Sequence, residues 1–213
     1  TLFNGYSDDG TRYFGLGMAV YPHRHILDCH FSTIEAGGRQ HCFYGSRHAP
    51  QERTDMSVGP FRLEITEPLR SARVILDENE SGVACDLTFS ARTSAIQEAR
   101  QVLWNSQRKV MDATRFAQFG RWSGTSSHPD GEFTVDQDTW RGTKDRSWGV
   151  RGVGERGPVG APMPPKGAFF WWAPLQWDDH ISHAVFFERE QKFPEATLFD
   201  GFAPLNVLNL GSI

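Results

Sequence analysis

Arg73-Val-Ile-Leu-Asp-Glu-Asn-Glu-Ser-Gly-Val-Ala-Cys-Asp-Leu-Thr-Phe-Ser-Ala-Arg92 reads as two strands about one turn. Cys85, Leu87, Phe89 and Ala91 alternate with Asp86, Thr88, Ser90 and Arg92. A period of two places one dry face and one wet face on an extended chain, as in an antiparallel sheet solvated on one side. Asn79-Glu80-Ser81-Gly82 supplies the turn between them. The same pattern extends outward in both directions. Phe61/Leu63/Ile65 alternates against Arg62/Glu64/Thr66, and Ile26 to Glu35 is followed by Ala36-Gly37-Gly38 and a second run, Arg39 to Gly45, as a hairpin. In Arg12 to Tyr21, Phe14, Leu16, Met18 and Val20 share one face. Gly15, Gly17 and Ala19 lie on the other, framed by Tyr13 and Tyr21. Small residues framed by aromatics suit a curved wall or the close approach of a ligand, so both tyrosines are candidate ligand contacts.

Toward the C-terminus, Gln97 to about Met111 carries Val102, Leu103, Val110 and Met111 at roughly helical spacing without Gly or Pro. The spacing predicts a helix, with an irregular strand as the alternative. Strand alternation resumes at Thr114, and His128-Pro129-Asp130-Gly131 marks a turn. Gly152 to Gly167 is Gly- and Pro-rich and reads as a long loop. The aromatic run Ala168 to Leu175, then Ile181 to Glu188, then the apolar tail Phe199 to Ile213 complete the chain. Many short strands with frequent turns and no β–α alternation predict an all-β antiparallel barrel or sandwich.

The chain has 213 residues, enough for one large or two small domains with a real core. A net charge of −4 argues against a nucleic-acid footprint. No apolar stretch approaches the ~20 residues that span a bilayer, and no membrane span is expected. No signal-peptide pattern is visible, although the sequence starts at Thr1. Cys29, Cys42 and Cys85 are odd in number and lack metal-type spacing, so free thiols in a reducing, cytoplasmic compartment are expected. Sixteen Phe and seven Trp can fill a β core or line a pocket for an apolar ligand.

The chemically richest run is Gly142-Thr-Lys-Asp-Arg-Ser-Trp-Gly-Val-Arg151. It sets two cations about a carboxylate and a large ring, more chemistry than a strand needs to fold. It resembles the hallmark of the AttH-like proteins and carotenoid 1,2-hydratases (hydroxyneurosporene synthases). Val58-Gly-Pro-Phe-Arg62, Glu67-Pro-Leu69, Asp86 to Arg92, Thr114 to Gly120 and Asp130-Gly131 resemble further parts of that family's pattern. The resemblance implies a pair of lipocalin-like barrels, the first over residues 1–128 and the start of a second, truncated or incomplete, over 129–213. Family members are longer, and a homodimer is one way to complete the second barrel. The resemblance also implies a hydrophobic small-molecule ligand, with hydratases acting on isolated alkenes among the members.

Such chemistry asks for a proton donor in an apolar setting, where desolvation raises a carboxyl pKa. Asp145 beside Trp148 is the candidate acid, with Arg146 adjacent. Contact with Arg146 or Lys144 would instead make Asp145 a structural anion. His183, close to His180, is the candidate acid–base imidazole, and a polar turn is the alternative reading of that stretch. Arg115 and Arg151 are candidate anchors for a ligand anion, although Asp112 offers Arg115 a local partner. Trp148, Trp171 and Trp172 are candidate aromatic walls, and strand alternation allows at most one of the last two to face a ligand. His23, His25, Asp28 and His30, with His41 and His48 nearby, form the best metal candidate. His23/His25 and Asp28/His30 fall on opposite strand faces, so neither metal nor cofactor is expected. No nucleophile elbow, P-loop or dinucleotide fingerprint is present. The expected activity is cofactor-independent acid–base catalysis of the hydratase, lyase or isomerase kind on a hydrophobic unsaturated or aromatic molecule. The alternative is a non-catalytic carrier of a lipid, terpenoid or aromatic ligand.

Overall fold

Alternation of apolar and polar residues becomes strand after strand in the computed structural model, which describes residues 1–105, 107–151, 168–189 and 199–204. In chain order the strands are β1 (Leu2–Ser7), β2 (Arg12–Tyr21), β3 (Ile26–Glu35), β4 (Gln40–His48), β5 (Ser57–Val58), β6 (Phe61–Glu67), β7 (Ser71–Leu76) and β8 (Ala84–Ala91). They continue as β9 (Ile96–Gln97), β10 (Gln101–Asn105), β11 (Arg108–His128), β12 (Gly131–Val135), β13 (Trp140–Val150), β14 (Ala168–Gln176), β15 (His180–Arg189) and β16 (Phe199–Pro204). No α-helix occurs among the described residues; a 3-10 turn, Pro22–Arg24, links β2 to β3. The protein is all-β, as its periodicity predicts.

One sheet runs β4-β3-β2-β1-β13-β11-β8-β7-β6-β5, with β9, β10 and β12 also paired to β11. A smaller sheet runs β14-β15-β16. The strands gather into two compact units, and each is interleaved in sequence. The first takes Thr1–Ala95 with Gln118–Arg146; the second takes Ile96–Ala117 with Ser147–Ile213.

In the first unit the inward residues of the opening hairpin, Leu87 and Phe89, are fully buried with Val74 and Ala72 opposite them. Arg73 forks onto Asp86 on the wet face with contacts of 2.8 and 2.6 Å. Rings fill the interior. Trp122 meets Phe14, Phe89 and Phe3 edge-on at 5.1, 5.3 and 5.7 Å between centroids. Trp140 stacks between Phe14 and Phe133 at 5.4 and 5.6 Å. In this unit the aromatic excess of the sequence packs as core. At the two ends of the sheet, side chains meet where the backbone ladder does not close. Arg47 of β4 donates to the Ser57 carbonyl of β5 and pairs with Asp55 at 2.8 Å.

The segment predicted as a helix, Gln97 to Met111, instead contributes the end of β9, the whole of β10 and the start of β11. Val102 pairs with Asp112 and Leu103 with Met111, and a bulge falls between Leu103 and Trp104. That bulge breaks the period of two, and adjacent apolar pairs on either side of a turn mimic helical spacing. The Asp112 carboxylate draws the hairpin together by accepting hydrogen bonds from Arg100 at 2.6 Å and Lys109 at 2.7 Å. The Arg100–Asp112 ion pair across the hairpin and a Lys109–Trp104 cation–π contact of 5.3 Å thus favour strand pairing over a helix.

Candidate functional site

β13 carries the signature run and sorts it by alternation. Phe3 of β1 lies opposite Lys144, and the Lys144 ammonium sits 5.6 Å from the Phe3 ring centroid. Burial, then the neighbouring Arg146 charge, lowers the Lys144 pKa. Asp145 is half-buried opposite Leu2, on the other face of the strand from Lys144. Arg146 and Trp148 are exposed. In the second unit the Trp148 ring meets Phe116 edge-on at 6.3 Å, and Arg151 donates to Ser147 Oγ at 2.7 Å.

The two glycines of the run have backbone reasons. A Cβ on Gly142 would run into the Trp122 indole nitrogen and lie 2.7 Å from the Asn4 carbonyl, the two atoms that share a 2.8 Å hydrogen bond. Gly149 has φ +130, and a Cβ there would collide with the Asp112 carbonyl. Much of the signature therefore holds β13 against its neighbours.

Tyr13 and Tyr21 leave the dry face of β2, Tyr13 exposed and Tyr21 half-buried. The space left by Gly15 and Gly17 is taken by the Tyr13 hydroxyl and the His30 ring, at 3.1 and 2.5 Å from an added Cβ. His23 falls in the 3-10 turn and His25 follows it, both exposed, while His30 lies along β3.

The second unit brings three of the predicted residues together. β14 and β15 pair with Pro174 opposite His183 and Gln176 opposite Ile181. Pro174 is tolerated because β14 is an edge strand among the described residues. Trp172, two residues from Pro174, shares its face and meets His183 edge-on at 5.3 Å between ring centroids and 81° between planes. Trp171 points to the other face and is half exposed. His183 is completely buried. Burial first, then the Arg115 cation, pushes its imidazole from 6.5 down to about 4, so it is neutral at physiological pH. His180 lies instead at the hairpin turn, 2.6 Å from the Asp179 carboxylate and stacked on Trp177.

Arg115 comes from β11 and faces Glu98, just after β9. The Glu98 N–H donates to the Arg115 carbonyl at 2.9 Å, and their charged groups are 4.0 Å apart with both side chains largely buried. Glu98 escaped the sequence reading because it lies in the stretch predicted as helix; its proximity to Arg115 exists only through the β9–β11 pairing. One further observation concerns Trp172. Its indole N–H is buried and finds no acceptor among the described residues. A buried donor without an acceptor costs about 1–3 kcal/mol, so such groups persist where something else satisfies them. The set comprises a carboxylate–guanidinium pair, a neutral imidazole and an unmatched donor. It offers a base, a fixed positive charge and a hydrogen bond to a ligand oxygen.

The fold defines an all-β protein built on one large antiparallel sheet, and solved structures show where it has been seen before. The crystal structure of kievitone hydratase from Nectria haematococca superposes with a TM-score of 0.61 at 16% identity, covering 94% of this chain and 60% of that one. At that identity the likeness is one of fold, and the chain spans 60% of the neighbour's length. No curated protein matches in sequence. A profile described as a family of unknown function, DUF8625, matches residues 1–206, and the chain belongs to that family. No helix among the described residues is long and apolar enough to cross a membrane.

Proposed function

We propose that the protein is a cofactor-independent hydratase-type enzyme whose acid–base site is the second-unit cluster of Glu98, Arg115, Trp172 and His183. The observation that carries this is the buried Trp172 N–H, without an acceptor among the described residues, beside the fully buried His183. The substrate class is an apolar molecule with an alkene conjugated to a carbonyl. Its oxygen accepts from the Trp172 N–H, and its apolar body lies against aromatic and aliphatic side chains.

The chemistry balances within these groups. Neutral His183 takes a proton from water as the water oxygen bonds to the electron-poor alkene carbon. The alkene electron pair moves toward the conjugated oxygen, where the Trp172 N–H and the Arg115 cation meet the developing charge. The imidazolium then returns its proton to the adjacent carbon. Glu98 holds Arg115 in place, and losing it would strand a buried cation at about 3–5 kcal/mol. Asp145 belongs to the first unit and takes no part in this scheme. Three free cysteines fit a reducing compartment, the cytoplasm in our reading.

The test offers kievitone and simple apolar enones to the protein in isotope-labelled water and follows product mass. Label should enter the product with wild type and Asp145→Asn, and fall by about 10²–10⁴ in rate with His183→Ala. Binding without label uptake by any variant would leave a carrier of the same ligands. Loss in Asp145→Asn alone would move the acid–base role to β13.

A further inference from the structure

We propose that His41, His128 and Asp130 form a divalent transition-metal site in the first unit. The site is separate from the cluster described above. His41 is the second residue of β4, His128 ends β11, and Asp130 sits in the turn before β12. One ligand atom from each lies within 4.8 Å of the others. His41 Nε2 is 2.8 Å from Asp130 Oδ2, and the His41 and His128 rings lie nearly parallel, 4.7 Å apart at 12°.

Hydrogen bonding sets the ring roles. The Asp130 N–H donates to His128 Nδ1 at 3.3 Å, so the lone pair of that nitrogen points to the Asp130 side and is held there only by a long hydrogen bond that a bound ion would displace. His128 Nε2 then carries the proton and faces Glu35 Oε1 at 3.8 Å, and Glu35 is itself held by Arg12 Nε at 2.8 Å. At 3.8 Å that carboxylate acts on the ring through charge, and a closer approach would complete the carboxylate–histidine arrangement of a metal-binding imidazole. The ligand set is therefore His41 Nε2, His128 Nδ1 and Asp130 Oδ2.

Two imidazoles and one carboxylate select Zn²⁺, Co²⁺, Ni²⁺ or Cu²⁺ over Ca²⁺ or Mg²⁺. Ligand bonds of about 2.0–2.2 Å require the three side chains to draw together around the ion. Asp130 is 60% exposed and free to swing, whereas His128 is 5% exposed and fixed. The exposed side at Asp130 leaves the fourth position to water.

Calorimetric titration of the untagged full chain with Zn²⁺ alone tests the assignment, backed by the visible spectrum with Co²⁺. Wild type should bind one Zn²⁺ per chain at micromolar concentration and give the Co²⁺ bands of a tetrahedral site. Asp130→Ala and His41→Gln should each weaken binding at least about tenfold. Asp130 is in an exposed turn, so its replacement leaves the fold intact, and circular dichroism checks this. A His23→Gln/His25→Gln double variant should bind as wild type. The proposal is overturned by no binding up to millimolar Zn²⁺. It is equally overturned by unchanged affinity in both Asp130→Ala and His41→Gln, or by loss only in the His23/His25 variant.

Discussion

At the scale of single residues, His183 is the most informative side chain. Its imidazole titrates from about 4 in the folded protein against 6.5 for an unburied one. Between those values the unfolded chain takes a proton that the folded one refuses. The contribution of His183 to stability is therefore complete above 6.5, falls as pH drops from 6.5 toward 4, and levels off below. Asp112 adds loss only at the acid end of the window, from about pH 5 downward, because Arg100 and then Lys109 hold its carboxyl near 2. Chemical denaturation across this range should show wild type losing stability steadily from 6.5 to 4. His183→Phe, similar in volume and unable to titrate, should lose clearly less. Parallel slopes would mean that the imidazole is not buried beside Arg115. Sequence alone marked His183, Arg115 and Trp172 by residue type, and alternation required Trp171 and Trp172 to part. It did not mark Glu98, since nothing local ties that carboxylate to Arg115; only the pairing of β9 with β11 does.

Elements explain what single residues leave open. The signature run was read for its charges, yet its glycines are what the strands need. Gly149 adopts φ +130, a region essentially closed to residues with a Cβ, and faces the Asp112 carbonyl. Gly142 makes room for the Trp122 N–H to reach Asn4. Gly149→Ala and Gly142→Ala should each cost about 1–3 kcal/mol, by strain in the first case and overpacking in the second. Ser147→Ala, one turn of the pleat away from Gly149, should cost under about 0.5 kcal/mol beyond its exposed Arg151 hydrogen bond. Thermal denaturation of the three variants checks the order, and an innocuous Gly149→Ala would show that β13 does not hold that backbone. Hairpins at 26–48 and 71–91 were legible because strict alternation and Gly-containing turns are local signals. The 97–111 segment was not, because its bulge and the Arg100–Asp112 ion pair act across the hairpin rather than along it.

For the whole molecule, interleaving is the consequential fact. Each unit is assembled from separated stretches, and β11 and β13 contribute residues to both. Within β11, residues 120–127 pair with β8 and 116–117 pair with β9, so one strand serves two cores. The large-sheet ladders of both units depend on that strand, whereas β14, β15 and β16 pair among themselves. Unfolding is therefore expected to be a single cooperative event, and damage to the first core should be felt in the second. Trp122 is the test because it is fully buried and touches Phe3, Phe14 and Phe89. Removing such a ring costs about 3–5 kcal/mol. In Trp122→Ala, hydrogen exchange should accelerate by a similar factor at 119–126 and at 113–117, although the mutation lies among the first set alone. Acceleration confined to 119–126 would mean that the two units open independently. The acid–base cluster would then rest on a scaffold that the large sheet does not stabilise, and loss of His183 function in first-unit variants would need another cause.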